Sequence, residues 1–338
     1  MNIENNINAF AQLGDFIREN PVSLQEIVHK TFVYNTWFTV ENTNLALQNI
    51  AIEFLEKEKL TNWLSAYDTQ LTTHSSKTIA LVAAGNIPLV AFHDILCVLI
   101  TGNKLQIKLS EKDKFLYPFL LDKLIEFNAD FKDKIEIKER LENFDAIIAT
   151  GSNNTAKHFE YYFKKYKHII RRNRNSIAIL DGNETQKDFD NLGHDIFDFY
   201  GLGCRNVSKI FIPKNYDILK LREGLAKHIG VNQHNQYMNN LDYQRTVYLM
   251  NQIPLIDIDF VNITENKSMH SPISCLHFEY YDTIHEVQNI INEEKENIQC
   301  IVGNVAIDNI IPFGKSQQPT LNDYADNVDT IKFILEID

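Results

Sequence analysis

The chain is short of the residues that break and reshape a backbone. Its 338 residues include 12 glycines and 8 prolines, too few for a collagen-like or low-complexity chain. Basic residues are also in deficit: 33 Lys and Arg stand against 45 Asp and Glu, a formal net charge of -12. That balance argues against a nucleic-acid or anionic-membrane surface. No apolar run approaches the roughly 20 residues of a membrane-spanning helix, so no membrane insertion is expected. The opening MNIENNINAF lacks the basic-then-apolar pattern of a secretion signal. Only four cysteines occur, Cys97, Cys204, Cys275 and Cys300, and none forms a CxxC pair. This excludes a disulfide framework and a zinc site, and the expectation is reduced thiols in the cytoplasm with no metal. GxGxxG, the common dinucleotide fingerprint, is missing as well.

What is present is a globular balance, 44% hydrophobic and 23% charged, with length for two domains of ordinary size. Residues 1 to about 75 read as helical. Ser23 and Glu26 have capping-box spacing ahead of a helix over 24–32, and a second long helix ends near Tyr67. From Lys77 the texture alternates between strand and helix. TIALVA (78–83) suits a buried parallel strand. Ala84-Gly85-Asn86-Ile87-Pro88 makes a turn, with Pro88 in the first turn of a helix to about Ile100. KLQIKL (104–109) is a strand, Ser110 or Asp113 caps a helix over 115–127, and 145–149 is a strand. Thr150-Gly151-Ser152 then opens a helix over 153–166. Such a series predicts a doubly wound α/β sheet whose ligands bind beyond the carboxyl ends of the strands.

Four motifs carry chemistry. Cys204 lies in FDFYGLGCRNVSKIFIP (197–213), where the pattern predicts a helix carrying Phe197 and Tyr200, a Gly-Leu-Gly-Cys turn, and a strand over 209–212. A thiol on a glycine-flanked bend suits a nucleophile served by backbone N–H groups; the same pattern also suits a packed core cysteine. The other three cysteines sit in apolar runs and read as core. Asn86 can donate an amide to a developing oxyanion, or merely start a helix. Lys108 can reach a nucleotide ribose, or simply face solvent. Thr150-Gly151-Ser152 can hold a pyrophosphate at a helix N-terminus, or be an ordinary N-cap.

In their order, Asn-x-Pro, Gly-Asn-x-x-x-x-Lys-x-Ser, Thr-Gly-Ser and a glycine-flanked Cys resemble the aldehyde dehydrogenase superfamily. Within it the chain looks like the bacterial acyl-CoA reductases of the bioluminescence fatty-acid reductase type. The likeness is carried by residues 83–113, 147–156, 174–180, 199–213 and 323–335, and GNIP, KLSEKD and GLGCRN together give it subfamily detail. It implies an α/β, aldehyde dehydrogenase-like fold of two doubly wound domains with an N-terminal helical segment. The divisions expected are 1–75 helical, 76–190 dinucleotide-binding, 191–305 catalytic, and 306–338 a return segment whose residues 328–337 read as an oligomerisation strand.

The resemblance also implies roles. Cys204 attacks an acyl carbon, and Asn86 with the Cys204 backbone N–H holds the oxyanion. Lys108 contacts ribose and Ser152 pyrophosphate, with Ser110, Glu111, Thr150 and Gly151 completing the coenzyme site. Two departures matter. The superfamily's Glu-Leu-Gly-Gly run, source of a general base for water, is here about residues 170–173, with no carboxylate. An acyl-cysteine is thereby spared hydrolysis, which favours reduction of a thioester. Glu-x-Phe-Gly-Pro is here Ser268-Met269-His270-Ser271-Pro272. The implied activity is NAD(P)H-dependent reduction of a fatty acyl thioester, on CoA or an acyl carrier, to an aldehyde. NADPH is the expected coenzyme, with Glu111 leaning towards NADH. His194 and His168 are candidates for proton delivery, and a homo-oligomer is expected. The alternatives are an acyl-phosphate reductase of the glutamyl-phosphate type and a non-reducing acyl-carrier or partner-binding protein.

Overall fold

Short apolar runs between residues 78 and 171 become five strands: β1 (Thr78–Val82), β2 (Lys104–Lys108), β3 (Ile135–Ile137), β4 (Ala146–Thr150) and β5 (Lys167–Arg171). The structure, a computed structural model, describes residues 3–337. It divides into two units, Met1–Asn173 with Pro319–Asp338, and Arg174–Gln318.

In the first unit the strands form a sheet of order β3-β2-β1-β4-β5, parallel throughout. Parallel strands need helical cover on their faces. The helix Phe92–Ile100 gives part of it, and every residue of it except His93 is buried. An all-round apolar helix belongs inside a core. The N-terminal helices pack into the same cluster through Phe10, Leu13, Leu24, Leu47 and Trp63. Asn6 donates its side-chain amide to the Leu99 and Ile100 carbonyls at 3.3 and 3.2 Å, satisfying acceptors left open at that helix end. A buried Arg171–Asp94 pair ties β5 to this helix, and Arg171 also donates to Thr330 at 3.2 Å.

The second unit holds β6 (Asn175–Ile179), β7 (Val207–Pro213), β8 (Ile256–Asp257), β9 (Asn262–Glu265), β10 (Cys275–Tyr281), β11 (Ile298–Gly303) and β12 (Ile310–Ile311). Their order is β12-β11-β6-β7-β10-β9-β8, with only β8 antiparallel to its neighbour. Alternate side chains cover opposite faces: Ala178 and Ile210 enter one core cluster, Ile177, Ile179 and Phe211 another. No helix among the described residues is long and apolar enough to cross a membrane.

Four readings of the sequence change. The boundary placed near residue 190 lies at 173/174, because β6 pairs with β7 and β11 rather than with the first sheet. The run over 328–337 is not a strand but holds the helix Thr330–Leu335, capped by Asp329, which accepts the Lys332 N–H at 2.9 Å. It buries Ile331 and Ile334 in the first unit's core, while residues 306–318 belong to the second unit. The Ser23–Glu26 capping box does not form, because the helix starts earlier, at Val22 behind Pro21. Finally, β5 was not anticipated, since KHIIR presents two exposed polar residues.

Candidate active site

The turn after β1 lies against the segment after β2. The Ala83 N–H donates to the Lys108 carbonyl at 3.0 Å. Gly85 permits the approach, since a Cβ there would sit 2.4 Å from Ser110 Oγ. Leu89 is left-handed, φ 57°, and its N–H donates to Asp113 Oδ2 at 2.8 Å. The helix expected from Pro88 therefore begins only at Phe92. Exposed Asn86 rides on this clamped turn. Asp113 itself is buried, and its second carboxyl oxygen has no partner. Burial pushes its carboxyl up to about 7, with the Leu89 N–H pulling the other way.

Lys108 is exposed at the end of β2. Ser110 caps the short turn Glu111–Asp113, accepting from the Lys112 N–H at 3.3 Å. Glu111 is exposed, with Lys114 Nζ 3.9 Å from its carboxylate. Strand order reverses between β1 and β4, which opens the crevice where such sheets take nucleotides. Asn86, Lys108, Ser110 and Glu111 lie towards one side of it. Thr150, Gly151 and Ser152 end β4 on the other. Ser152 caps the helix Asn153–Phe163, its Oγ accepting the Thr155 N–H at 3.3 Å. A Cβ on Gly151 would sit 2.9 Å from Thr155 Cβ, so the approach to this helix start is kept bare.

Cys204 belongs to the second unit. The helix Gln186–Phe197 ends at Phe197 rather than carrying Tyr200. Phe199 and Tyr200 take φ of 55° and 59°, Gly201 77° and Gly203 97°. A left-handed residue with a side chain costs about 1–2 kcal/mol, and strain of this kind collects at functional sites. The bend delivers Cys204, half-buried, into the turn before β7. Its carbonyl accepts from Ser176 Oγ at 3.1 Å, and the same hydroxyl lies 2.9 Å from Cys300 Sγ. Burial pushes the Cys300 thiol up to about 11; Arg205 lowers it, while Cys204 and Asp195 raise it.

A network the motifs did not reveal surrounds this turn. Asp195, fully buried, accepts the Gly314 N–H at 2.6 Å and the Ser316 N–H at 2.9 Å. The Ser316 carbonyl accepts from Arg205 at 3.2 Å. The sequence carried one signal for it: Asp195 falls on the same stripe as Phe189, Leu192 and Ile196, where a carboxylate must find donors. Of the two histidines, His194 is exposed and bonds Asp198 at 3.1 Å, which raises its pKa. His168 is exposed on β5 and bonds the Tyr166 carbonyl at 2.9 Å. Cys97 and Cys275 are buried. The residues at 170–173 offer no carboxylate, and Arg171 among them is spent on Asp94.

The family model described as Acyl-CoA reductase (LuxC) matches residues 36–271. No curated protein matches the chain. Among solved structures, aldehyde dehydrogenase 21 from Physcomitrella patens, in complex with succinate, is similar over 99% of this chain and 84% of its own, with TM-score 0.70 and 9% identity. An indole-3-acetaldehyde dehydrogenase with NAD+ is similar over 91% and 73%, with TM-score 0.66 and 14% identity. A methylmalonate-semialdehyde dehydrogenase described as putative, from Sinorhizobium meliloti 1021 and complexed with NAD, is similar over 91% and 74%, with TM-score 0.66 and 11% identity. At these identities the likeness is one of fold, and the fold is that of the aldehyde dehydrogenases.

Proposed function

The chain belongs to the acyl-CoA reductase (LuxC) family, and from that premise we propose that it reduces a fatty acyl thioester to an aldehyde through an acyl-cysteine on Cys204. The observation that carries the reading is the left-handed bend that delivers Cys204 within the span matched by the family model. A nicotinamide coenzyme fits the first unit on its own features. A bare Gly151 and a capped helix N-terminus flank the strand-order reversal, with Lys108 at the end of β2. Bound there, the reduced coenzyme supplies hydride.

The residues do the rest. The Cys204 thiolate adds to the thioester carbonyl, forming the carbon–sulfur bond while Asn86 and the Cys204 N–H stabilise the oxyanion. Collapse expels the carrier thiolate, which takes up a proton. Once the acyl carbon is reduced, a second collapse breaks the bond to Cys204, releasing aldehyde and restoring the thiolate. No carboxylate at 170–173 is there to activate water against the acyl-cysteine. NADPH is the coenzyme of this reading. The Glu111 carboxylate is exposed with Lys114 Nζ 3.9 Å from it, and Lys108 and Lys112 are exposed in the same run of sequence, so this run has cations to offer a 2′-phosphate.

The test supplies a long-chain acyl-CoA with NADPH or NADH to wild type and to Cys204→Ala. Wild type is expected to form aldehyde, preferring NADPH, and to carry a hydroxylamine-labile acyl group on Cys204. The variant should bind coenzyme normally while its turnover falls by about four orders of magnitude or more. Equal coenzyme oxidation by the two proteins overturns the role of Cys204; preference for NADH overturns the coenzyme assignment.

A further inference from the structure

The bend before Cys204 is strained, and strained backbone persists only where its surroundings over-determine it. The second unit's sheet anchors Cys204 through the Ser176 hydroxyl, which donates to its carbonyl. Further support comes from far along the chain. The segment after β12, Pro312-Phe313-Gly314-Lys315-Ser316, folds back so that two of its N–H groups point at the Asp195 carboxylate. Gly314 is left-handed, φ 83°, and a Cβ on it would sit 3.0 Å from Asn191 Cβ. The segment is thus pressed onto the helix Gln186–Phe197. Phe313 is buried in the same core as Leu192 and Ile196, which fixes the segment from below. Its Ser316 carbonyl then faces outward to Arg205, the residue after Cys204.

We infer that Asp195 is a positioning residue for Cys204. By accepting the Gly314 and Ser316 N–H groups it fixes the Ser316 carbonyl, which holds Arg205 and so the turn that presents the thiol. Asp195 is fully buried, and its effect passes through three links. The helix that carries it also leads into the left-handed bend, so both sides of Cys204 are set from one helix. The two N–H groups meet different oxygens of the one carboxylate, whereas an amide offers a single accepting oxygen. Arg205 follows Cys204 directly in the chain, and its charge lowers the pKa of the neighbouring Cys300 thiol. The chain of contacts holds the backbone on either side of the nucleophile, so that the thiol is presented in one position.

The inference rests on the reading of Cys204 as nucleophile, so its test uses a readout that does not need the reductase reaction. Wild type, Asp195→Asn and Arg205→Gln are treated with iodoacetamide across a pH series, and modification of Cys204 is followed by peptide mass spectrometry. NADPH titration and thermal unfolding are run on the same samples. Asp195→Asn is expected to slow Cys204 alkylation at least about tenfold at every pH of the series and leave coenzyme affinity within about twofold, because loss of positioning by fractions of an ångström acts on the reacting group alone. Arg205→Gln removes only the last link and should reproduce most of the slowing. It decides the matter if Asp195→Asn fails to fold. Folded variants that alkylate Cys204 at the wild-type rate across the series overturn the inference. A wild type that alkylates readily but takes no acyl group from acyl-CoA overturns the proposed function and leaves the positioning result standing.

Discussion

In the proposed reading the two units work at opposite edges of their sheets, the first at the carboxyl ends of its strands and the second at the amino ends. In the first, the residues assigned to coenzyme and oxyanion follow the carboxyl ends of β1, β2 and β4. In the second, Cys204 precedes β7, and its contacts Ser176 and Cys300 lie near the starts of β6 and β11. The rule that open α/β sheets bind ligands beyond their carboxyl ends therefore describes the first unit only. A carboxyl edge offers helix N-termini, which suit phosphates. An amino edge offers none of these, so a reactive thiol there needs its own construction, here a run of left-handed residues braced by side chains. Each unit nonetheless relies on a buried carboxylate that accepts loop N–H groups, Asp113 in one and Asp195 in the other.

The largest expected effect separates those two carboxylates by pH. Burial raises Asp113 from 3.8 to about 7 and Asp195 from 3.8 to about 6, in both cases against the pull of the N–H groups. A folded-state pKa above the unfolded one means the native state holds its proton longer. The stabilisation is then complete below about pH 3.8 and is lost as pH rises through about 7 for Asp113 and about 6 for Asp195. The losses are about 4 kcal/mol and about 3 kcal/mol. Urea unfolding of wild type, Asp113→Asn and Asp195→Asn across pH 4 to 8 measures them. Each variant should flatten its own window, and Asp113→Asn should act to the higher pH. Identical pH dependence in all three proteins removes the parallel between the units.

A smaller effect tests the assignment of the first unit's edge to chemistry as well as to binding. Asn86→Ala should lower kcat by about 10²–10³, the cost of one oxyanion donor, with NADPH affinity unchanged. A loss confined to coenzyme affinity would make Asn86 part of the coenzyme site and leave the first unit purely a binding unit.

The sequence showed the first unit's edge more fully than the second's, and the reason is physical. Strands β1 and β4 are near-continuous apolar runs and β2 alternates polar and apolar residues, and Gly85, Lys108 and Ser152 lie at or just beyond their ends, so local order reveals both strand and site. Cys204 was visible through its glycines, but the left-handed turn at Phe199 and Tyr200 was not, because aromatic residues give no sign of positive φ. Asp195 meets Gly314 across 119 residues, a contact that no local pattern encodes. The C-terminal helix was misread for a related reason. Ile331, Phe333, Leu335 and Ile337 alternate as in a strand, yet burial falls on Ile331, Ile334 and Ile337, the spacing of a helix against the first unit's core. The boundary near 190 failed because β6 continues the α/β texture, and only strand pairing assigns it to the second sheet.

The smallest effect bears on whether a helix start is merely a cap or also a binding site. Ser152 and Thr185 both cap helices that follow a strand and loop. Thr185 sits in a reciprocal box with Asp188, the two exchanging bonds at 3.3 and 2.9 Å. Ser152 gives a single exposed cap, accepting the Thr155 N–H at 3.3 Å and leaving its hydroxyl paired with Thr155 Oγ1 at 2.9 Å. As caps, each should cost about 1 kcal/mol on mutation to Ala. As a site, only Ser152 should matter: Ser152→Ala should weaken NADPH binding severalfold in a fluorescence titration, while Thr185→Ala leaves it unchanged. Position separates the two, since the Ser152 helix opens at the strand-order reversal and the Thr185 helix leads towards the amino edge where Cys204 stands. If the two variants lose stability alike and neither alters coenzyme affinity, the carboxyl edge of the first unit has no claim on the pyrophosphate through Ser152, and Lys108 with the Gly151 backbone must carry that contact alone.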